Sequence, residues 1–151
     1  MRVEYRNYGV TKGDFMIDEK TTKKQMVHYS VKTKTGWGVP MTGLTADDDS
    51  IIDHAGIIGE SIINFKIEGT RVKKARVKTV RGKWLDYGVG FNTELGNDSD
   101  IAGIEIVGEK LMVSVHVKGG QWINPVYTST EEGAVLINSG SAIDAIWIDE
   151  V

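Results

Sequence analysis

The chain reads VHVKGGQWINPV from Val115 to Val126, with alternating valines, two glycines and then a tryptophan. Alternation with a period of two is typical of a β-strand with one buried face, and the glycines predict a turn at its end. Two other segments, VHYSVKTKTGWGVPM from Val27 and ARVKTVRGKWLDYGV from Ala75, have the same order of features. The sequence therefore predicts three opening strands, and these lead to Trp37, Trp84 and Trp122.

A second landmark closes each of these units. The segments SIINFKIEG, DIAGIEIVG and AIDAIWIDE begin at Ser61, Asp100 and Ala142, so their starts differ by 39 and 42 residues. Each contains an isoleucine that is followed three and five residues later by another large apolar residue. The spacing of two places the last two apolar residues on one face of a closing strand. The length between tryptophan and closing strand varies, which loops tolerate and paired strands do not.

A period near 40 residues is typical of a structural unit whose copies bury each other's apolar faces. Three β-rich copies predict an all-β fold with pseudo-threefold symmetry, a β-trefoil or alternatively a β-prism. The predicted copies span residues 27–69, 70–108 and 109–151, and residues 1–26 are predicted to be an N-terminal strand or a linker. The segment IEIVGEKLMVSVHV, Ile104 to Val117, predicts a tight hairpin between one closing strand and the next opening strand.

Composition narrows the function classes. The chain has 151 residues, 40% hydrophobic and 26% charged, which is typical of a globular domain. The absence of cysteine excludes disulfides, thiolate metal sites and a cysteine nucleophile. A net charge of −3 argues against nucleic acid, and the basic run Arg71 to Arg81 alternates with valines, so we expect its charges on the solvent face of a strand. No signal peptide or membrane-length apolar run is expected, and no membrane partner.

The motifs resemble a known family. VHVKGGQW followed by PV and later by SAIDAIWI is similar to the tryptophan-containing C-terminal cell-wall-binding repeats of clostridial and phage N-acetylmuramoyl-L-alanine amidases. The first copy adds HAGIIGESIINFKI, in which Ala55-Gly56 and Gly59 match that family's AG before the closing strand. The resemblance covers about Met26 to Glu150. The second copy lacks this AG before its closing strand, and the third has it reversed.

The resemblance implies a non-catalytic module that targets a peptidoglycan hydrolase, an endolysin or autolysin, to the Gram-positive wall. The catalytic domain would lie outside this chain. The implied partners are bacterial cell-wall polysaccharide, a secondary wall polymer or peptidoglycan, and self-association into a homo-oligomer is left open. The implied place of action is the bacterial cell wall, reached by secretion or by release at lysis, and no cofactor is implied.

The three tryptophans allow two interpretations. Each could fill the core where copies meet, since a large ring buries about 150–250 Å². Alternatively, each is a platform for a sugar ring, because carbohydrate sites combine an aromatic face with a few directed polar groups and gain from multivalency. The candidate ligand-binding residues are Trp37, Trp84, Trp122, Lys83, Asp86, Gln121 and Asn124. A fourth tryptophan, Trp147, alternates with isoleucines and is predicted to face away from them.

No motif predicts catalysis or a metal. His28, His54 and His116 show no HExxH spacing, and the acidic run that starts at Asp47 lacks the glycine and glutamate of a calcium loop. There is no GxSxG elbow and no P-loop. We therefore expect no enzyme activity and no metal. Two alternative functions remain, a lectin or toxin-receptor subunit that binds host glycans and a phage structural or assembly protein.

Overall fold

The computed structural model describes residues 27–43, 54–128 and 133–151, and all structural statements refer to them. These residues form β-strands and turns without a helix, which confirms the all-β prediction. The strands are β1 His28–Thr33, β2 Gly36–Trp37, β3 Met41–Thr42, β4 Asn64–Glu68, β5 Val72–Thr79, β6 Leu95–Gly96, β7 Ile101–Gly108, β8 Leu111–Val117, β9 Val126–Tyr127, β10 Gly133–Asn138 and β11 Ile143–Glu150. The N-terminal segment 1–26 and the acidic run at 47–49 lie outside the described residues.

The strands form three antiparallel sheets. The first sheet has the order β2-β1-β4-β6, with β3 also paired to β1; the second is β10-β7-β5 and the third is β9-β8-β11. In each sheet the opening strand pairs with the closing strand of the same copy. The register is equivalent in all three, with the partners Val31↔Phe65, Val77↔Ile104 and Val115↔Ile146. The opening and closing strands of each copy therefore form the same structural pair three times.

The predicted hairpin between Ile104 and Val117 is wrong. The chain does turn tightly between β7 and β8, with Lys110 at φ 57°, but these two strands do not pair with each other. β7 pairs with β5 on one edge and β10 on the other, so neither edge is left for β8. The turn instead bonds to the residue before β5, since the Glu109 N–H donates to the Arg71 carbonyl at 3.1 Å. The chain thus changes sheet at this turn.

The segments between tryptophan and closing strand cross to another copy. The segment of the second copy contributes β6 to β4, and that of the third contributes β10 to β7. The segment of the first copy forms a bridge to β11, in the third copy. The three register pairs are Leu95↔Phe65, Ile137↔Ile104 and Ala55↔Ile146. Each closing strand is therefore contacted by the next copy in a cyclic exchange: the second copy contacts the first, the third contacts the second, and the first contacts the third.

One hydrophobic core lies between the three sheets. The first isoleucine of every closing segment, Ile62, Ile101 and Ile143, is fully buried. Backbone hydrogen bonds connect these positions across copies, from Ile101 N–H to Ile62 O and from Ile62 N–H to Ile143 O, both at 2.9 Å. Because the described parts of all three sheets bury their apolar faces in this one cluster, their opposite faces point away from it.

Candidate functional site on the outer faces

The three tryptophans occupy equivalent positions beside the opening strands. In each copy the residue after the tryptophan donates its N–H to an opening-strand valine at 2.9–3.0 Å. The three donor–acceptor pairs are Gly38→Val31, Leu85→Val77 and Ile123→Val115. Each tryptophan itself lies across from an outward-facing residue of the opening strand, namely Lys32, Lys78 or His116. The alternating valines and the glycine turn thus place three rings alike, one on each sheet.

These tryptophans lie outside the buried core. Trp37 and Trp84 are half-buried, and 37% of Trp122 is exposed. The core interpretation therefore does not describe them, because the isoleucines, valines and Phe65 already fill the centre. Trp147 is half-buried between two buried isoleucines of β11, so it faces away from them as its alternation predicted.

The four polar residues predicted beside the tryptophans are all exposed. Lys83 and Gln121 serve the turns through their backbones, since their carbonyls accept the N–H groups of Thr79 and Val117 at 3.0 and 3.1 Å. Asp86 and Asn124 lie two residues beyond their tryptophans and are also exposed. The structure does not bring the seven candidates into one pocket. They lie on three outer faces, one for each sheet.

Five side chains lie next to one another on the outer face of the second sheet, and the sequence did not predict that they would meet. The Tyr87 ring lies beside two cations, with Lys74 Nζ 4.1 Å and Arg76 Cζ 4.6 Å from its centroid. The Trp84 ring lies between Arg76 Cζ at 4.7 Å and Lys78 Nζ at 5.8 Å. The order is Lys74, Tyr87, Arg76, Trp84, Lys78, and we name this set the cation–aromatic ladder. Three of its members come from the basic run, whose charges occupy the outer face of β5 as predicted.

Glu105 on the neighbouring β7 orients the middle of this ladder. Its Oε1 accepts from Arg76 Nε at 2.6 Å and from the Tyr87 hydroxyl at 2.8 Å. The register places Glu105 directly opposite Arg76, which explains the short ion pair. The hydrogen bond to this carboxylate raises the pKa of the Tyr87 phenol above 10.0, because only the protonated phenol can donate it. Arg76 and Tyr87 are therefore held in place with Tyr87 neutral.

The first sheet has a smaller version of the same arrangement. Lys66 Nζ lies 4.3 Å from the Trp37 ring centroid and 5.4 Å from that of Phe91. Lys32, which pairs with Trp37 in the register, lies 3.6 Å from an Asp98 carboxylate oxygen. A positive charge against a tryptophan is thus shared by the first two copies.

The third sheet differs, because histidines replace the cations around Trp122. His54 and His116 both approach this ring edge-on, with centroids 5.5 Å away. His116 Nδ1 lies 2.7 Å from Asp144 Oδ1, and Asp144 Oδ2 accepts the Gly59 N–H at 2.8 Å. Asp144 is fully buried, so this carboxylate fixes the histidine ring and ties the first copy to the third.

Two features of these sites could not be predicted from the sequence. Alternation within the basic run predicted that Lys74, Arg76 and Lys78 share a face, but not that Tyr87 and Glu105 join them from neighbouring segments. The His116–Asp144 pair spans two strands in the same way. The described ranges hold no cluster of three or more histidine, aspartate or glutamate side chains arranged for a metal ion.

No protein-family model, no curated protein and no solved structure matches the chain. In the part of the chain that the structure describes, no helix is long and apolar enough to cross a membrane. The described residues form an all-β protein with three equivalent strand pairs and one partly exposed tryptophan beside each opening strand.

Proposed function

We propose that this chain is a non-catalytic binding module that targets a peptidoglycan hydrolase to a glycan or secondary polymer of the Gram-positive wall. The observation that carries the proposal is the threefold placement of Trp37, Trp84 and Trp122 outside the core, each with a charged or imidazole side chain against it. A ring that is not needed for the core can offer its exposed apolar surface to the C–H groups of a sugar, and the polar side chains beside it can bind the sugar's oxygens. Three weak sites on one rigid body gain affinity for a repeating polymer through multivalency.

The arrangement of the sheets supports the β-prism alternative over the β-trefoil. A closed barrel joins its central strands in one continuous sheet, whereas these strands divide into three separate sheets around one core. Three outward faces at equivalent positions suit a polymer that contacts more than one face or several molecules on one wall.

A pull-down on purified Gram-positive cell walls tests the proposal. The variants Trp37→Ala, Trp84→Ala and Trp122→Ala are compared with Ile58→Ala, which removes an exposed apolar side chain outside the tryptophan hairpins. We expect each tryptophan variant to bind about threefold to tenfold more weakly, and the triple variant to lose binding, since multivalent sites act together. Thermal melts should remain close to the parent because the rings lie outside the core.

Two outcomes would contradict the proposal. Unchanged wall binding by a folded triple variant would show that the tryptophans do not contact the wall polymer. A fall in cell turbidity caused by this chain alone would show that it is an enzyme. Competition by galactose or mannose would indicate the lectin alternative, and a discrete oligomer that ignores every glycan would indicate an assembly protein.

A further inference from the structure

We propose that the cation–aromatic ladder of the second sheet binds a polymer in which sugar rings alternate with anionic groups. This inference rests on the proposed function and names the ligand chemistry of one of its three faces.

The geometry of β5 spaces the cations regularly. Lys74, Arg76 and Lys78 are alternate residues of the strand, so neighbouring members start about 6–7 Å apart on the same face. One aromatic ring fills each interval, Tyr87 in the first and Trp84 in the second. Charge and ring therefore alternate along the face, as anion and sugar alternate in such a polymer.

The contacts position the cations without neutralising them. A ring face attracts a cation through its quadrupole but carries no net charge. Against the three cations of the ladder the described residues place one carboxylate, Glu105, which is ion-paired with Arg76. The ladder thus remains positive in a chain whose net charge is −3. Lys74 and Lys78, at its two ends, have the ammonium groups that remain for an anionic ligand.

The rings argue for a sugar component. A simple polyanion would need only the cations, yet 40% of Tyr87 is exposed and Trp84 is half-buried beside it. The other copies lack the ladder, because Ser30 and Ser114 stand where the second copy has Arg76. Their hydroxyls donate to backbone carbonyls, of Gly38 at 2.9 Å and of Ile123 at 2.8 Å. The anionic preference is therefore assigned to the second sheet alone.

Binding of four soluble polymers, measured by calorimetry at about 50 mM NaCl where screening is weak, tests the ligand chemistry. They are a glycosylated polyribitol phosphate, polygalacturonate, polyphosphate and dextran. We expect at least one of the first two to bind about tenfold or more tightly than both polyphosphate, which has no sugar, and dextran, which has no charge. Tighter binding of the polyribitol phosphate indicates that the ladder prefers phosphodiester groups, and tighter binding of polygalacturonate indicates that it prefers carboxylates. Equal binding of polyphosphate, or no binding of either anionic glycan, overturns the inference.

A matched pair of double variants tests the location. Lys74→Gln with Lys78→Gln removes both ends of the ladder, whereas Lys34→Gln with Lys118→Gln removes the same charge from exposed turns of the first and third copies. We expect the ladder variant to lose about tenfold in affinity for the anionic glycan and the control to stay within about twofold. Equal losses would show that net charge alone governs binding, which overturns the inference.

The two proposals fail in different ways. If walls stripped of phosphodiester and carboxylate polymers still bind the chain and the ladder variant binds as the parent does, wall binding stands and the ladder assignment falls. If the soluble anionic glycan binds through the ladder while intact walls do not bind, the ladder assignment stands and the proposed function falls.

Discussion

At the residue scale, Glu150 shows how a change at one repeated position creates an electrostatic cost. It lies two residues after the last isoleucine of its closing strand, where the other copies have Gly69 and Gly108. Its side chain is 6% exposed, Oε1 lies 3.4 Å from Arg71 Nη1, and Oε2 has no hydrogen-bond partner among the described residues. Burial raises the pKa of Glu150 above its ordinary value of 4.5, and the opposing effects of Arg71 and of the Val27 backbone are smaller.

This raised pKa predicts a loss of stability with increasing pH. Between 4.5 and the raised pKa the folded protein binds more protons at Glu150 than the unfolded chain, so the free energy of unfolding falls as pH rises through that window. Because burial outweighs the attraction to Arg71, Glu150→Gln should stabilise the protein at pH 7, with little gain near pH 4, where the folded protein holds this carboxyl protonated. Urea unfolding at both pH values measures this, with exposed Glu109→Gln as control. An equal effect at the two pH values would refute the explanation.

At the scale of elements, the segment around Ala55 and Gly56 shows how a short stretch can join two copies. Ala55 exchanges two backbone hydrogen bonds with Ile146, both at 2.9 Å, and Gly56 then passes directly over the Asp144 carbonyl. Three residues later the Gly59 N–H reaches the Asp144 side chain. The close approach requires a residue without Cβ at Gly56, which gives a physical reason for the AG pair.

Alanine substitutions at two glycines distinguish the stability lost through steric overlap from the stability lost through backbone strain. Gly56 and Gly59 have similar positive φ, 108° and 101°, but a Cβ at Gly56 would overlap the Asp144 carbonyl oxygen whereas one at Gly59 would meet open space. We expect Gly59→Ala to cost about 1–2 kcal/mol from φ alone and Gly56→Ala about 3 kcal/mol or more, since overpacking is added. Thermal unfolding measures both. Equal losses would mean that no steric overlap operates.

At the scale of the whole molecule, strand exchange makes the three copies interdependent. β6 and β10 each complete the sheet of another copy, and all sheets share one core. Tyr29 adds a further connection, because its buried hydroxyl accepts the Ile148 N–H of the third copy at 3.0 Å. No single copy can therefore satisfy its own backbone and bury its own apolar face.

This interdependence predicts one cooperative unfolding transition and an unfolded fragment. A chain that ends at Gly108 lacks β10 as the partner of β7 and β11 as the partner of Ala55, so we expect circular dichroism to show no stable sheet. Mixing it with residues 109–151 should restore the strand signal. In the intact chain, the calorimetric and van't Hoff enthalpies should agree. Two resolved transitions, or a fragment that melts cooperatively, would contradict the cyclic exchange.

The sequence by itself determined the elements that depend on local pattern. Alternating valines predicted the opening strands, paired isoleucines predicted the closing strands, and glycine followed by tryptophan predicted where the hairpins turn. The solvent-facing charges of β5 and the outward direction of Trp147 followed from the same period of two. These features were predictable because neighbouring side chains on a strand point to opposite faces whatever the strand pairs with.

Only the tertiary structure decided which strand pairs with which and which side chains meet. The hairpin predicted between Ile104 and Val117 does not form because both edges of β7 are taken by strands distant in sequence. The position of the tryptophans outside the core, the ladder completed by Tyr87 and Glu105, and the His116–Asp144 pair all depend on that choice of partners. The physical reason is that many strands carry compatible apolar faces, and competition for a limited number of edges and for one shared core selects among them.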